Sequence, residues 1–481
     1  MTLRFPESPA FTDYDLPMRL EGSIRDLEVD DDIPAALQGA WYRCGPDPQY
    51  PPHRGDDVYV NGDGMLSMLR FGDGHVDFQS RYVRTERYLA ERAARRSLFG
   101  DYRVAATDAP EVRGMGRGTA NTTALWHGGR LFALKEDSLP YEVDPLTLET
   151  KGEYSWSHGL RARTFSAHPK IDPETGELWS FAYEAEGDGS SAMALIVVDR
   201  DGTLIREEWF EPPYVAMVHD FAITRDHVLF PIFPTLMDPA RLQAGGPHWM
   251  NDAARDAWLG VMPRGGTVAD LRWFRRPGGH SYHVINAFSE GSRVHLDLAL
   301  SQINSFPFIP DVSGAPYDPR LGAPIPMRWT VDMDGNGDGI EERPLGRIPG
   351  DLPRIDDRRI GQPYRYAYLG LVDPSRALPK AGPVGAGFNL LGCLDTQTEE
   401  TAIYYGDDET SFQEPQFVPG GPDEQDGFIL TVMNRHDQNR ADIGIFAASD
   451  IAAGPVATVR LPIRLRLAFH GCWVPEAELP K

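Results

Sequence analysis

Residues 164–178 read TFSAHPKIDPETGEL and place a histidine shortly before a tight turn. Asp-Pro and Thr-Gly pairs favour a sharp chain reversal, so we expect His168 at the mouth of a β-hairpin and not inside a helix. Three more histidines have comparable apolar, aromatic-rich surroundings: His219 in YVAMVHDFAIT, His283 in GGHSYHVINAF and His470 in LRLAFHGCW. These four histidines form the group from which a candidate site is built.

Hairpin signals recur along the whole chain. Short β-rich runs flank turns of Gly and Asp, as at 65–71 and 75–78, or at 194–198 and 203–205, and the run 130–134 follows the Gly128-Gly129 turn. Helical periodicity is rare, and residues 86–98, with Thr85 as N-cap, are its best candidate. The pattern predicts an all-β protein of antiparallel sheets.

The length of 481 residues bears on the architecture. No composition shift marks a boundary, so we expect a single domain over residues 1–481. A simple sandwich or barrel would be oversized, whereas seven blades of ~50 residues plus long loops would use the length. The stretches 231–256 and 305–328 could cover one face. The sequence therefore predicts a seven-bladed β-propeller.

Charge and cysteine content narrow the function classes. The formal net charge of −24, without a long basic block, disfavours nucleic-acid binding, because such a surface repels phosphate backbones. The three scattered cysteines argue against a disulfide framework or a zinc cluster. The first residues lack a signal peptide, and no apolar run approaches the ~20 residues of a membrane span. The sequence predicts a soluble cytoplasmic protein.

Residues 332–339, DMDGNGDG, look like the start of an EF-hand calcium loop. Its twelfth position, where a bidentate Glu is needed, is Arg343, and Pro344 follows. A turn rich in Asp, Asn and Gly explains the stretch without metal. The turn is the preferred interpretation, with calcium binding left open.

Several histidines on strand-like runs could converge on a propeller axis. Imidazoles suit iron, zinc, copper and nickel, so the residues alone leave the metal open. Neutral imidazoles would call for carboxylates on their outward ring nitrogens. Glu136 and Glu414 are acids in apolar surroundings that could serve in this way.

Many longer motifs resemble the carotenoid cleavage oxygenase family, in the right order and along nearly the whole chain. The matching stretches are IPAALQGAWYRCGPDPQ (33–49), NGDGML (61–66), GTANTTALWHGGRLFALKEDSLPYEVDPLTLET (118–150), SAHPKIDPETGE (166–177), MVHDFAIT (217–224), HVINAFSEG (283–291), LPRIDDRRIGQPYRYAYLG (352–370), QEPQFVP (413–419) and AFHGCW (468–473). The resemblance implies a seven-bladed β-propeller with a helical and loop dome over the top face. It also implies a non-haem Fe(II) on the axis, and O2 as the reagent that splits a carbon–carbon double bond into two carbonyls.

The resemblance assigns the residues of the metal site. The iron ligands carried over by the motifs are His168, His219, His283 and His470. The acids that orient them fall at Glu136, Glu414 and Asp351. Glu is usual at the third position, and because Asp351 is one methylene shorter, contact with its histidine only through water is an expectation.

SLFGDYR (97–103) and ALKED (133–137) are similar to bacterial enzymes of this family that act on lignostilbene, isoeugenol and related 4-hydroxyphenyl alkenes. The implied phenol-binding residues are Tyr102 and Lys135. A cationic partner in a dry pocket favours the phenolate of a phenol, whose pKa is near 10. Without the resemblance, Lys135 would be an exposed strand lysine and Tyr102 a packing residue.

Two details of the pocket follow from the sequence. On a regular strand Lys135 and Glu136 point to opposite faces, so both serve one site only if iron and pocket lie on different sides or the strand is bulged. Tyr59, Phe306 and Phe308 resemble positions that line the aromatic pocket, although core packing explains aromatic residues equally well.

The expected activity is a dioxygenase-type, Fe(II)-dependent cleavage of the side-chain double bond of isoeugenol, 4-vinylguaiacol or stilbenoids to vanillin-type aldehydes. The expected partners are a small phenolic alkene and O2. The alternatives are an apocarotenoid cleavage oxygenase, a propeller that serves only as a binding scaffold and, more distantly, a calcium-dependent propeller hydrolase.

Overall fold

The structure is a computed structural model that describes residues 4–157, 159–378 and 387–481. Strands dominate, and the described α-helices are Glu86–Ala94 and Pro239–Gln243. The predicted all-β class is confirmed. The chain divides into two compact units: Met1–Ser155 with Val372–Leu391 and Ala402–Lys481, and Trp156–Leu371 with Gly392–Thr401.

The first unit contains a nine-stranded sheet. Its order is Gly22–Ile24, His75–Tyr82, Gly64–Gly72, Gly39–Pro46, His470–Pro475, Thr123–His127, Arg130–Leu134, Tyr141–Val143 and Thr150–Glu153. Neighbouring strands are antiparallel except at one place, where His470 pairs with Thr123 in a parallel register. A histidine of the candidate group therefore begins a strand in the middle of this sheet.

A second sheet of this unit packs against the first. Its order is Glu28–Asp30, Pro455–Arg460, Arg440–Ala447, Gly427–Arg435 and Thr410–Phe412, and Gln416–Pro419 pairs with Gly427–Arg435. Buried side chains of both sheets share one core, among them Trp41, Leu69, Phe71, Leu430, Val432 and Ile443. Each such side chain contributes roughly 1.5–3 kcal/mol by leaving water.

The second unit is built from small antiparallel sheets. One has the order Lys170–Ile171, Leu178–Ala182, Met193–Val198 and Leu204–Phe210; another Ala222–Ile223, His227–Ile232, Asp256–Pro263 and Arg272–Pro277; and a third Val284–Glu290, Arg293–Leu300, Ile325–Asp332 and Glu341–Pro344. Thr235–Leu236 and Met250–Asn251 form a separate two-stranded sheet, and Gly350–Arg354 pairs with Tyr366–Leu371 at the edge of a further sheet. Leu390–Asp395 and Thr401–Tyr404 are strands where the chain passes between the units.

One hydrophobic cluster of the second unit lies between the second and third of these sheets. Leu229, Leu259 and Phe274 come from one, and Leu296, Leu298 and Trp329 from the other. Trp329 is fully buried, and its indole nitrogen donates a hydrogen bond to Glu342 over 2.8 Å. A buried indole with its nitrogen satisfied adds a large apolar contact without leaving an unpaired donor.

Local sequence signals predicted the elements well where turn or cap chemistry marks them. The strand expected after Gly128-Gly129 is Arg130–Leu134. The predicted helix starts as expected, since the Thr85 side chain accepts a hydrogen bond from the Tyr88 amide over 3.1 Å. It ends earlier, at Ala94, because Arg95 adopts a left-handed φ of 56°. Among the described residues, the helices are too short or too polar to cross a membrane.

Candidate functional site

His168 lies two residues before a short hairpin whose turn the sequence marks. The Asp172 side chain accepts hydrogen bonds from the amides of Glu174 and Thr175, over 2.8 and 3.2 Å. The Gly176 amide closes the turn on the Asp172 carbonyl over 2.8 Å. Because the first strand, Lys170–Ile171, runs into this turn, His168 stands at the open end of the hairpin, as predicted.

His219 and His283 also lie just before strands, Ala222–Ile223 and Val284–Glu290. The Nε2 atoms of His168 and His219 are 3.0 Å apart. The ring of His283 lies 5.2 Å from the ring of His168 and 5.3 Å from that of His219, between centroids. The second unit therefore brings three of the four predicted histidines together, with ligand nitrogens within 4.8 Å of one another.

The spacing of these nitrogens fits a shared metal ion. Two imidazole nitrogens that each bind one ion at ~2.1 Å, at a right angle, are ~3.0 Å apart. Neutral imidazoles are ligands that iron(II) and other divalent transition metals accept. The three histidines are therefore suited to hold such an ion.

Asp351 meets this cluster directly. Its Oδ1 lies 2.7 Å from Nδ1 of His283, so the expected water-mediated contact is wrong. The strand Gly350–Arg354 is irregular between Asp351 and Arg354, and Leu352 has a φ of 53°. Such a bulge re-aims side chains, and here it accounts for the reach of the shorter acid. With Nδ1–H donated to Asp351, Nε2 of His283 keeps its lone pair for a metal.

Asp220 is a residue of the cluster that the sequence did not single out. It is buried, and it accepts hydrogen bonds from Nζ of Lys170 over 2.7 Å and from the Val284 amide over 2.8 Å. Oδ2, the oxygen that accepts the Val284 amide, also lies 3.8 Å from Nδ1 of His168. One carboxylate thus ties the segments of all three histidines together. The sequence held one signal for this ion pair: Lys170 and Asp220 carry opposite charges, and each lies within two residues of a predicted ligand, in HPK and VHD.

His280 is a neighbour of His283 with a different environment. It is buried, and its Nε2 lies 3.1 Å from the side-chain nitrogen of Asn304. Burial, followed by the nearby His219, lowers the pKa of His280 to about 3. His280 is therefore a neutral, hydrogen-bonded core residue.

His470 belongs to the first unit, where it begins the strand His470–Pro475. Its Nδ1 lies 2.7 Å from Oε1 of Glu414, and the Gly471 amide donates to Oε2 of the same acid over 2.9 Å. Both side chains are buried. This pair repeats the carboxylate–histidine arrangement of Asp351 and His283, and again leaves Nε2 as the metal-binding nitrogen.

Lys135 and Glu136 follow the strand Arg130–Leu134 and lie in a turn. The strand rule that sends their side chains to opposite faces therefore does not apply. Both are buried, at 5% and 4% exposure, so the interpretation of Lys135 as an exposed strand lysine is wrong. Two buried charged residues at one strand end are typical of a functional site.

The ammonium of Lys135 has a specific setting. Nζ donates a hydrogen bond to the main-chain oxygen of Val60 over 2.9 Å and lies 5.4 Å from the ring centre of Tyr102. Burial is the largest influence on Lys135 and lowers its pKa, while Asp137 and Glu136 oppose that shift. A carbonyl and an aromatic face hold the cation without neutralising it, so its charge remains available to an anionic or polar ligand.

The predicted pocket aromatics lie in two places. Phe306 and Phe308 stack in the second unit with ring centres 5.0 Å apart, and Phe306 lies 3.9 Å from the ring of Tyr282. Tyr282 in turn contacts the ring of His219, at 5.4 Å between centroids. These contacts connect the two phenylalanines to the histidine cluster.

Tyr59 lies in the first unit and is buried at 2% exposure. Its hydroxyl donates to the main-chain oxygen of Leu467 over 2.8 Å, and its ring packs edge-on against Phe469. These contacts are those of a core residue.

The loop at 332–339 is organised around an arginine. The Arg272 guanidinium donates hydrogen bonds to the carbonyls of Met333, Gly335 and Gly337, over 2.8, 2.5 and 2.8 Å. In an EF-hand that begins at Asp332, the main-chain carbonyl ligand would be that of Asp338. This carbonyl already accepts a hydrogen bond from the Arg275 amide over 2.7 Å, so the turn interpretation fits this loop.

A second group of potential metal ligands is Glu184, Asp188 and His248. His248 Nε2 lies 2.9 and 3.1 Å from the two oxygens of Glu184, and both residues are buried. A buried, mutually hydrogen-bonded pair explains this arrangement without an ion.

Comparison with known proteins identifies the family to which the chain is similar. Residues 16–475 match the RPE65 family, described as retinal pigment epithelial membrane protein. The isoeugenol monooxygenase of Pseudomonas nitroreducens is 43% identical, over 96% of this chain and 97% of the relative. The lignostilbene-α,β-dioxygenase isozyme III of Sphingomonas paucimobilis is 42% identical, over 99% of both.

A solved structure agrees over nearly the same length. The lignostilbene dioxygenase of Pseudomonas brassicacearum superposes with a TM-score of 0.95 at 40% identity, covering 98% of this chain and 100% of the other. A plant carotenoid 9,10(9′,10′)-cleavage dioxygenase from Crocus sativus is more distant, at 28% identity over 94% of this chain and 86% of the relative. The family predicted from the sequence is confirmed: the chain belongs to the RPE65/carotenoid cleavage oxygenase family.

Proposed function

We propose that this protein is an oxygenase that cleaves the side-chain double bond of 4-hydroxyphenyl alkenes to vanillin-type aldehydes. The observation that carries the proposal is the buried Lys135, held by the Val60 carbonyl beside Tyr102. A phenol is a ligand that such a cation recognises. Membership of a family that includes an isoeugenol monooxygenase and a lignostilbene dioxygenase supports the reaction class.

The metal proposed for the site is a single Fe(II) held by His168, His219, His283 and His470. When bound, Fe(II) supplies the activation of O2. Support comes from the clustered nitrogens of the first three ligands and from the acids on the outward nitrogens of His283 and His470. Glu136, buried beside Lys135, is proposed as the third orienting acid.

Lys135 and Tyr102 would bind and polarise the substrate phenol. A positive charge in a dry pocket lowers the pKa of a phenol and favours the phenolate. Negative charge on the phenolate oxygen passes through the ring into the conjugated alkene and makes it electron-rich. Addition of the two atoms of O2 across that bond, followed by cleavage, yields two carbonyl products.

Phe306 and Phe308 are proposed as walls of the aromatic pocket, because Tyr282 links them to His219. Tyr59 is proposed as a further wall residue from the resemblance of its position, and its contacts with Phe469 and the Leu467 carbonyl hold it in place. An apocarotenoid has no phenol, so the alternative activity gives a buried Lys135 nothing to bind.

Other parts of the proposal concern architecture and setting. The repeated four-stranded antiparallel sheets support a propeller, and we propose that it has seven blades within one domain over residues 1–481. The helix Pro239–Gln243 and the long loops near it would form part of a dome. A cytoplasmic location and O2 as co-substrate belong to the same proposal.

Oxygen uptake with product analysis tests the function. Iron-loaded protein would receive isoeugenol, 4-vinylguaiacol, resveratrol and an apocarotenal in parallel. We expect aromatic aldehyde from the phenolic alkenes and little conversion of the apocarotenal. Lys135→Ala should abolish phenolic cleavage, whereas Lys151→Ala, at a half-exposed lysine, should not. Cleavage of the apocarotenal alone would overturn the roles of Lys135 and Tyr102. If the protein consumes no oxygen with any of the four substrates, the result would favour a propeller that serves only as a binding scaffold.

A further inference from the structure

The side chain of Asn121 is buried in the first unit, and both its nitrogen and its oxygen make hydrogen bonds. It is 0% exposed, and its amide nitrogen donates to the carbonyls of Val60 and Gly62, over 2.9 and 2.7 Å. Its oxygen accepts the hydroxyl of Thr122 over 3.0 Å. Only the NH2 end of the amide can donate to two carbonyls, so this network fixes its orientation.

One of these two acceptors is shared with Lys135. The Val60 carbonyl oxygen receives the Asn121 amide over 2.9 Å and the Lys135 ammonium over 2.9 Å. A carbonyl oxygen has two lone pairs, so each donor takes one. Asn121 therefore fixes the direction in which the other lone pair meets Lys135, and two ammonium protons remain for other acceptors.

The backbone around Asn121 is tightly held. Ala120 is fully buried with a φ of 47°, a conformation that L-residues seldom adopt. The Gly64 amide donates to the Thr119 carbonyl over 2.9 Å. A Cβ at Gly64 would stand only 2.3 Å from the Ala120 oxygen. Close packing on both sides therefore keeps Asn121 in register with the turn that carries Val60.

We propose that Asn121 is a positioning residue for the phenol end of the substrate, acting through the Val60 carbonyl on Lys135. The inference rests on the proposed function, since it gives Lys135 a phenolate to bind. Without Asn121, the Val60 carbonyl would lose one of its two donors, and its direction toward Lys135 would be less strictly fixed. The charge would then lie farther from the phenol oxygen, and a small misplacement of a binding group has large effects.

Vanillin, the proposed product, provides a readout that does not depend on turnover. Its absorbance distinguishes phenol from phenolate, so a pH titration of bound vanillin gives the pKa of the bound phenol. The variants are Asn121→Ala, Asn121→Ser and Lys135→Met, all measured on folded protein with unchanged iron content. Asn121→Ser keeps a polar group near Thr122 and serves if the alanine variant does not fold.

The matched control is Asn389→Ala. Asn389 is also 0% exposed and donates to two carbonyls, of Asp373 and Ala377, over 3.0 and 2.9 Å. Its replacement by Ala removes two hydrogen bonds of the same kind, from a side-chain amide to main-chain carbonyls, in a different loop. A general loss of packing would therefore change both asparagine variants alike.

We expect the pKa of bound vanillin to rise by about one unit, a tenfold change, in both Asn121 variants and not in Asn389→Ala. A larger rise is expected in Lys135→Met. An unchanged pKa in the Asn121 variants beside a raised one in Lys135→Met would overturn the positioning role and leave the proposed function intact. If Lys135→Met also leaves the pKa unchanged, phenol binding by Lys135 is wrong and the role of Asn121 fails with it.

Discussion

The carboxylate of Asp351 lies 2.7 Å from Nδ1 of His283, within direct hydrogen-bonding distance. The acceptor determines which ring nitrogen carries the proton. With Nδ1 protonated, Nε2 is the metal-binding nitrogen, and the ring is held in the orientation that ligation requires. The same relationship joins Glu414 to His470, so two of the four histidines are oriented by an acid at contact distance.

Asp351→Ala should weaken iron binding by about 10–100-fold, the usual cost of losing such an acid. Iron content after equilibration with graded chelator concentrations measures the change without relying on activity. Asp395→Ala is the control, because the partners of Asp395, in the same unit, are the Arg365 guanidinium over 2.7 Å and the amides of Gln397 and Thr398, and none of them is a histidine of the cluster. Equal iron retention in the two variants would show that Asp351 does not support a metal ligand.

Replacement of Lys135 by Met should raise stability near neutral pH while abolishing phenol binding. Burial lowers the pKa of Lys135, so between that lowered value and the unfolded value of ~10.4 the unfolded chain binds more protons. Stability of the wild type therefore rises with pH across this window. The Met side chain is apolar and of similar length, and it carries no charge to desolvate.

Urea unfolding midpoints of the wild type and of Lys135→Met, from pH 7 to pH 10, measure this difference. The gap in favour of the variant should shrink as pH rises, because the wild-type ammonium loses its proton. Lys151→Met, at a half-exposed lysine, should show no such convergence. A variant less stable than the wild type at every pH would mean that the hydrogen bond to Val60 outweighs desolvation.

Elements that depend on interactions between neighbouring residues could be predicted from the sequence. The Asp172 turn, the Thr85 cap and the strand after Gly128-Gly129 follow from neighbours in sequence, and all were predicted. The apolar surroundings of His168, His219 and His283 also marked residues that the second unit brings together.

Contacts between residues distant in sequence could not be predicted in the same way. Asp220 binds Lys170, which is 50 positions away, and Asn121 binds Val60, 61 positions away. A side chain whose partner is a main-chain carbonyl leaves no compositional signal at all. The direct reach of Asp351 depends on an irregular strand, and backbone irregularity of that kind is decided by tertiary packing.

His280→Gln should retain iron, whereas His219→Gln should lose it. The two residues are both histidines of one aromatic cluster, but Nε2 of His280 is bonded to Asn304 and burial holds its pKa at about 3. Its neutral ring has a structural partner and is not needed for a metal. Iron per chain, measured after identical loading of both variants, distinguishes them. Loss of iron from both would place His280 among the ligands.

Asp220→Asn should destabilise the second unit by about 3 kcal/mol, since it removes the charge that pairs with Lys170 at a site where Asp220 is 4% exposed. An uncompensated ammonium costs more than the loss of the attraction alone. The double variant Asp220→Asn, Lys170→Met should therefore recover part of the stability, and a double-mutant cycle from urea unfolding yields the coupling. Additive losses would mean that the ion pair contributes no coupling, and that Asp220 acts through its hydrogen bonds to the Val284 and Phe221 amides.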